Sequence, residues 1–310
     1  METELVIIGG GPAGLSAGVY AARADIKTML LERGVPGGLV INTELIENYP
    51  GFAKGISGPE LVNQMQKQAK RFGLTILSSN VEKINIFDRV FTIITDSGQI
   101  KTNAIIIATG AQPKLLGIKG EKTFTGRGVS YCATCDGPFF RGKNVAVVGG
   151  GDAAVQEAIY LTRFAKKVYV IHRRGELRAT RVIQQRAFEN PDIEFLWHHI
   201  VNEIRGKETV DGLILKDVRS GKESSLDAEG VFIYVGYSPN SLFVKDIVSL
   251  SEEGYIITDE NMQTSQPGIY AAGDVRKKLL RQVVTAVADG AVAAVAAEKY
   301  LDELKRTQLI

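Results

Sequence analysis

Two cysteines separated by two residues carry the most reactive chemistry in this chain: Cys132-Ala133-Thr134-Cys135, followed at once by Asp136. Sulfurs at this spacing can close a small ring without moving the backbone, and thiols so placed often ionise more readily than isolated ones. A dithiol that opens and closes exchanges two electrons. Asp136 is placed to give or take the proton as thiolate and thiol interconvert, although the same aspartate could simply cap a helix. The aromatic neighbours Tyr131, Phe139 and Phe140 could be core residues or, if exposed, could dock a protein disulfide. These are the only cysteines, too few for a disulfide framework. A metal centre would need two further ligands, and the histidines are His172 and the adjacent His198 and His199, which point in different directions on one element. No metal is expected.

A second chemistry is written twice. Val6-Ile7-Ile8-Gly9-Gly10-Gly11-Pro12-Ala13-Gly14 recurs 140 residues later as Ala146-Val147-Val148-Gly149-Gly150-Gly151-Asp152-Ala153-Ala154, and the match continues from Tyr20 to Tyr160 and from Arg23 to Arg163. In each copy the β-branched run predicts a buried parallel strand. The glycines then give the tight turn and close backbone approach that a pyrophosphate requires, and the following helix presents unpaired N–H groups to it. Candidate dinucleotide contacts are therefore Gly9, Gly11, Pro12, Ala13 and Gly14 in the first copy, and Gly149, Gly151, Asp152, Ala153 and Ala154 in the second.

The residue ending the second strand of such a unit reads the adenosine ribose. In the first copy it is Glu32, whose carboxylate suits two ribose hydroxyls and repels a 2′-phosphate, so this site should hold FAD or NAD and reject NADP. In the second copy it is His172, followed by Arg173, Arg174 and, a little later, Arg178. Several cationic donors with forked guanidinium groups suit phosphate oxygens, so the second site is predicted to select NADPH over NADH.

The elements that must position these residues follow from pattern. At 310 residues the length suggests two domains, each able to bury a core. Gly37 to Gly51 reads as a cofactor-lining loop, Pro59 to Phe72 as a helix with an apolar stripe, and Thr75 to Ile107 as a β-rich meander. A proline- and glycine-containing stretch from Gln112 to Gly120 leads into the second unit, which has its own β-rich stretch from Ile193 to Ile233. After Gly236-Tyr237-Ser238-Pro239-Asn240 the chain returns through Gly268 to Val275 to a long alanine-rich helix, roughly Gln282 to Leu304. That last segment looks like the completion of the first unit. The predicted fold class is α/β: two dinucleotide-binding, Rossmann-like, three-layer ββα domains, the second inserted into the first. The expected boundaries are 1–114 and 244–310 for the first domain and 115–243 for the second.

With 37 basic and 35 acidic groups the formal charge is +2, spread along the chain, and no basic stripe points to nucleic acid or an anionic membrane. The uncharged stretch from Leu5 to Ala22 is broken by glycines and a proline and is preceded by Glu2 and Glu4, unlike a signal peptide or a membrane span. The expected setting is cytoplasmic.

Taken together, the Gly9 to Gly14 signature, Glu47 to Gly51, Ala108-Thr109-Gly110, Gly128 to Gly137 around the dithiol, Gly149 to Ala154, His172 to Arg178, and Gly273-Asp274 with Arg281-Gln282 resemble the low-molecular-weight thioredoxin reductases, over almost the whole chain. The resemblance implies FAD in the first domain, near Gly38, Leu39, Asn48, Ala108, Thr109, Gly110, Gly273, Arg281, Gln282 and Val283, with Asp274 accepting from the ribitol chain. It implies that NADPH reduces the flavin, that the flavin reduces the Cys132–Cys135 disulfide, and that the dithiol reduces thioredoxin. Cys135 would face the flavin and Cys132 would attack the substrate. It further implies a homodimer and a rotation of the inserted domain, with Leu115-Leu116-Gly117 and Ser241-Leu242-Phe243 as candidate hinges. Leu39 departs from the family, where many members have Gln, and Pro138 stands where relatives often have an aromatic or small residue.

Four other readings stand beside this one. A ferredoxin-linked flavoprotein of similar fold, or the flavoprotein partner of a peroxidase, differs in lacking the dithiol or in carrying an extra N-terminal domain. A thiol oxidase using oxygen has little need for Arg173, Arg174 and Arg178. A non-catalytic flavin-binding redox sensor would use the dithiol as a switch.

Overall fold

The structure is a computed structural model that describes residues 1–43 and 45–308. The expected segment 244–310 therefore ends outside the described residues, and the Gly37 to Gly51 loop contains one residue, Glu44, that is also outside them. The chain divides into two compact units, one formed by Met1–Gln112 with the chain from Ser238 onward, the other by Pro113–Tyr237.

In the first unit, Leu5–Ile8 is apolar at four consecutive positions and buried at all of them, as a strand covered on both faces must be. It pairs in parallel with Thr28–Glu32 and Ala104–Ile107, and Thr75–Ser78 and Ile269–Ala271 complete a five-stranded sheet. The period-two alternation of a strand sorts its side chains between layers. Leu5 and Ile7 join the core under the helices, whereas Val6 and Ile8 join the core under an antiparallel meander of Val81–Phe87, Val90–Thr95 and Gly98–Thr102.

The helical layer contains Pro12–Arg23, Gly58–Arg71 and the long Val283–Gln308. Gly58–Arg71 is specified locally. Ser57 caps it by accepting from the Glu60 N–H at 3.3 Å, a proline sits in its first turn, and Leu61, Val62, Met65 and Ala69 supply the buried stripe. Pro12–Arg23 and Val283–Gln308 pass so closely that a Cβ at Gly290 would lie 2.1 Å from the Ala13 carbonyl oxygen.

The second unit repeats the plan. Asn144–Gly149 pairs in parallel with Lys167–His172 and Gly230–Tyr234, flanked by Ile193–Trp197 and Val129–Ser130. Val145 and Val147 pack under the helix Asp152–Leu161, while Ala146 and Val148 pack under the meander His199–Gly206, Val210–Asp217 and Glu223–Leu226. The fold class is thus α/β with two three-layer ββα units, the second interrupting the first.

Three details differ from the sequence reading. Thr75–Ser78 and Ile193–Trp197 belong to the parallel sheets rather than to the meanders. Each directly follows a helix, so it returns to the sheet edge by a crossover. The last helix runs on to Gln308. The candidate hinge residues are held inside their units: the N–H groups of Leu116 and Gly117 are bound by Glu121, and the Ser241 hydroxyl donates to the Gly254 carbonyl. The chain passes between units at Ala111–Pro113 and Tyr237–Pro239, two short strands that pair with each other.

Candidate active site

The first glycine loop leads from the Leu5–Ile8 strand into Pro12–Arg23, a helix with Pro12 in its first turn, Gly11 at its cap position, and neither a capping side chain nor an acidic residue in that turn. Its N-terminal N–H groups and positive dipole end are therefore disposed toward an anion. Gly9 has φ 108°, and a Cβ there would lie 2.4 Å from the Ala108 carbonyl oxygen, so only glycine lets the loop approach Ala108-Thr109. Glu32 closes the loop by accepting from Gly10 N–H at 2.7 Å through one oxygen and from Gly34 N–H at 2.9 Å through the other. Each carboxylate oxygen retains a lone pair for a ribose hydroxyl. Beside it lies a cavity of about 120 Å³ lined by residues that include Gly9, Glu32, Ser79, Thr109, Asn240 and Phe243, at the carboxyl ends of the parallel strands.

The C-terminal segment returns to this loop. Gly273 packs so tightly on Ala13 that a Cβ would meet the alanine methyl at 2.8 Å. Asn48 donates to the Gln282 side chain at 3.1 Å, and Gln282 directly precedes the helix that begins at Val283. Gly38 approaches Gly11, and Leu39 is exposed in the Gly38–Asn42 turn.

The surroundings of Asp274 are organised by a group the sequence did not single out. Asp289 is buried and receives Gly273 N–H at 3.0 Å, Arg276 at 3.0 Å and Lys278 at 2.9 Å. Lys278 also lies 3.8 Å from an Asp274 oxygen. Burial raises the Asp274 carboxyl above its ordinary pKa, against the pull of Lys278 and Arg281. Arg281 stacks over Tyr255 at 4.0 Å. The available signal for Asp289 was a single carboxylate in the alanine-rich first half of the last helix, ahead of Glu298, Asp302 and Glu303. Asn240 was also missed, although it clamps Thr109 reciprocally, accepting its hydroxyl on the carbonyl at 2.7 Å and donating from its amide at 2.9 Å.

The second loop has the same build, with Gly149 at φ 153°, Gly151 at the helix cap position and Asp152 in the first turn. The loop recruits the later arginine through backbone bonds: the N–H groups of Arg178 and Ala179 both donate to the Gly150 carbonyl, at 2.6 and 3.1 Å. Asp152 accepts from Thr180 N–H at 2.6 Å. Arg173, Arg174 and Arg178 are exposed. His172 stands apart from the three arginines. It is buried under Gly150, where a Cβ would meet the ring at 2.4 Å, and burial, with the Arg178, Arg174 and Arg173 charges, lowers its pKa.

Among the described residues, three buried side-chain atoms lack a hydrogen-bond partner: His172 Nε2, Asp274 Oδ1 and Arg281 Nε. Buried polar atoms are nearly always paired. All three lie on residues expected from the sequence to hold cofactors, so the donor set fits bound dinucleotides.

In the second unit, Cys132 and Cys135 are joined, with Cα atoms 5.3 Å apart. Ala133–Asp136 forms one helical turn starting at Cys132, and Cys132 Sγ accepts the Cys135 N–H at 3.1 Å. Ser130 brackets Cys132 by accepting its N–H at 3.1 Å and donating to its carbonyl at 3.2 Å. Cys135 is exposed and Cys132 half-buried. Asp136 precedes the next short turn, Gly137–Phe140, without a side-chain capping bond, which removes the capping reading. The two phenylalanines separate: Phe140 packs edge-on to Phe232 at 5.2 Å, and Phe139 is 74% exposed. Among the described residues no group of three or more His, Cys, Asp or Glu is placed to hold a metal ion, and no helix is long and apolar enough to cross a membrane.

Residues 3–290 match the family described as pyridine nucleotide-disulphide oxidoreductase. The thioredoxin reductases of Peptoclostridium litorale and Bacillus subtilis (strain 168) are 47% and 48% identical to this chain over 307 and 305 residues, covering 97% and 98% of it and 98% and 96% of the relatives. The crystal structure of Lactococcus lactis thioredoxin reductase superposes with a TM-score of 0.95 at 48% identity, covering 97% of this chain and 99% of that one.

Proposed function

The chain belongs to the pyridine nucleotide-disulphide oxidoreductase family and, within it, to the thioredoxin reductases, and from that premise we propose that it uses NADPH to reduce the disulfide of a thioredoxin through FAD and the Cys132–Cys135 pair. The observation that carries this reading is the closed Cys132–Cys135 disulfide at the start of a helical turn with Cys135 exposed, in the unit that also bears the second glycine loop.

The first loop would hold FAD: the helix start at Pro12 for the pyrophosphate, Glu32 for the ribose, and Asp274 for a hydroxyl of the ribitol chain, with Gln282 and Val283 near the ring. Bound FAD supplies a two-electron relay between a nicotinamide and a disulfide. In the second loop, Arg173, Arg174 and Arg178 would take the 2′-phosphate that separates NADPH from NADH.

The pair itself does the exchange. Once reduced, Cys132 is the better nucleophile, because the Cys135 N–H already points at its sulfur and favours the thiolate there. Cys132 sulfur attacks one sulfur of the substrate disulfide, forming a mixed disulfide and expelling the other as thiolate. Cys135 sulfur then attacks Cys132 sulfur, which restores the Cys132–Cys135 bond and releases the substrate dithiol. Asp136 accepts the proton Cys135 loses and passes it to the departing sulfur, and the other substrate thiolate takes its proton from solvent, to which Cys132 gave up its own on ionising. We further propose a cytoplasmic homodimer with no membrane or nucleic-acid partner, consistent with the balanced charge.

Cys135→Ser tests the order of steps. NADPH should still bleach the flavin, while turnover of thioredoxin with a disulfide dye should vanish. Loss of flavin bleaching without loss of FAD would sink the assignment.

A further inference from the structure

We propose that Tyr234 is a positioning residue for the redox pair: its hydroxyl anchors the turn carrying both sulfurs, whether or not the sulfurs are joined. The first N–H groups of a helical turn need outside acceptors, and the cap residue usually offers an oxygen. Here the cap position is Cys132, whose sulfur is a weak acceptor. It takes the Cys135 N–H, and the Cys132 carbonyl takes the Asp136 N–H at 3.1 Å. The Ala133 N–H goes instead to the Tyr234 hydroxyl, at 2.8 Å, on a residue 101 positions away. Ala133 is 0% exposed, so water cannot stand in for the phenol.

Tyr234 is itself held firmly. It ends the Gly230–Tyr234 strand and pairs with Gly149, where a Cβ would meet its carbonyl oxygen at 2.5 Å; two residues earlier Phe232 pairs with Ser130. One residue thus touches the first glycine of the second loop with its backbone and the redox turn with its side chain. Burial and the nearby Glu157 charge push the phenol pKa up, so the hydroxyl stays protonated.

The two redox states depend on this bond unequally. In the disulfide state the ring covalently holds Cys132 to Cys135, and the Tyr234 bond is a second restraint. Uptake of two electrons and two protons opens the ring into two thiols, and the turn then relies on hydrogen bonds alone: the Tyr234 anchor, the Ser130 bonds to Cys132, and the Cys135 and Asp136 N–H groups. Removing the hydroxyl should therefore disfavour the dithiol more than the disulfide.

The inference rests on the pair being redox-active, and the test separates the two. The full-length flavoprotein is equilibrated in dithiothreitol buffers of graded reduced-to-oxidised ratio, trapped by alkylation, and its free thiols counted by mass. Tyr234→Phe should need a roughly five-fold higher ratio for half-reduction, about 20 mV at 29.6 mV per tenfold. Tyr270→Phe, which removes a hydroxyl bonded to the Ala296 carbonyl at 3.1 Å in the other unit, should leave the midpoint in place. An unshifted midpoint in folded Tyr234→Phe, or an equal shift in Tyr270→Phe, overturns the role of Tyr234. In the unaltered protein, hydrogen exchange should find the Ala133 amide protected in both states; protection lost on reduction overturns it without any variant. A pair that NADPH never reduces would sink the proposed function instead.

Discussion

At the scale of single residues, the second nucleotide site shows how burial reassigns a role. The sequence offers His172 beside three arginines as one cationic cluster, but the imidazole is buried against Gly150, and those arginines disfavour its protonation. On the proposed function, phosphate selection would fall to the exposed guanidinium groups of Arg173, Arg174 and Arg178. Neutralising Arg173 and Arg174 should raise KM for NADPH roughly tenfold or more for each charged hydrogen bond lost, at about 1.5–3 kcal/mol apiece, and leave NADH nearly unchanged. Steady-state kinetics with both nucleotides decide it, and an equal loss for both would remove the phosphate assignment. The lowered His172 pKa also has a stability consequence. The unfolded chain binds a proton near pH 6.5 that the folded chain resists, so stability rises with pH through that window and is lost on acidification below it. Melting temperature should drop from pH 7.5 to pH 5.5, and His172→Asn should flatten that drop. Asp217, held at about 2 by the N–H groups of Ser220 and Arg219, acts only at much lower pH. Equal slopes in both proteins would exclude His172 as the cause.

At the scale of elements, strands and helices were legible wherever one local rule governed them. The β-branched runs before each glycine loop, the capped stripe of Gly58–Arg71 and the alanine-rich last helix all follow from period and capping. Thr75–Ser78 and Ile193–Trp197 were harder, because a short edge strand and a meander strand share the same composition and only pairing tells them apart. Gly290 marks the opposite case, where packing overrules propensity. Alanine in a helix interior is favoured by about 1 kcal/mol over glycine, yet a Cβ here would fall 2.1 Å from the Ala13 carbonyl. Overpacking costs about 1–3 kcal/mol, so Gly290→Ala should lower the melting temperature and loosen FAD retention. A stabilised variant with normal FAD content would show that the two helices can part without loss.

At the scale of the whole molecule, the inserted unit carries both the proposed NADPH site and the redox pair, and on the proposed function each would exchange electrons with one flavin in turn. A covalent cross-link between the two units should therefore permit flavin reduction or dithiol reduction, but not their cycle; unchanged steady-state turnover in a cross-linked protein would refute alternation. What the sequence determined by itself was what can be encoded in adjacent residues: the duplicated loop and the dithiol, because a tight turn, a cap or a sulfur ring is built from neighbours in the chain. What only the tertiary structure decided was every role that needs a distant partner. Asp289 beneath Gly273, Asn240 clamped to Thr109 and Tyr234 on the Ala133 N–H join residues that lie far apart in sequence, and a hydrogen bond acts over only a few ångströms of space, so no local pattern announces it.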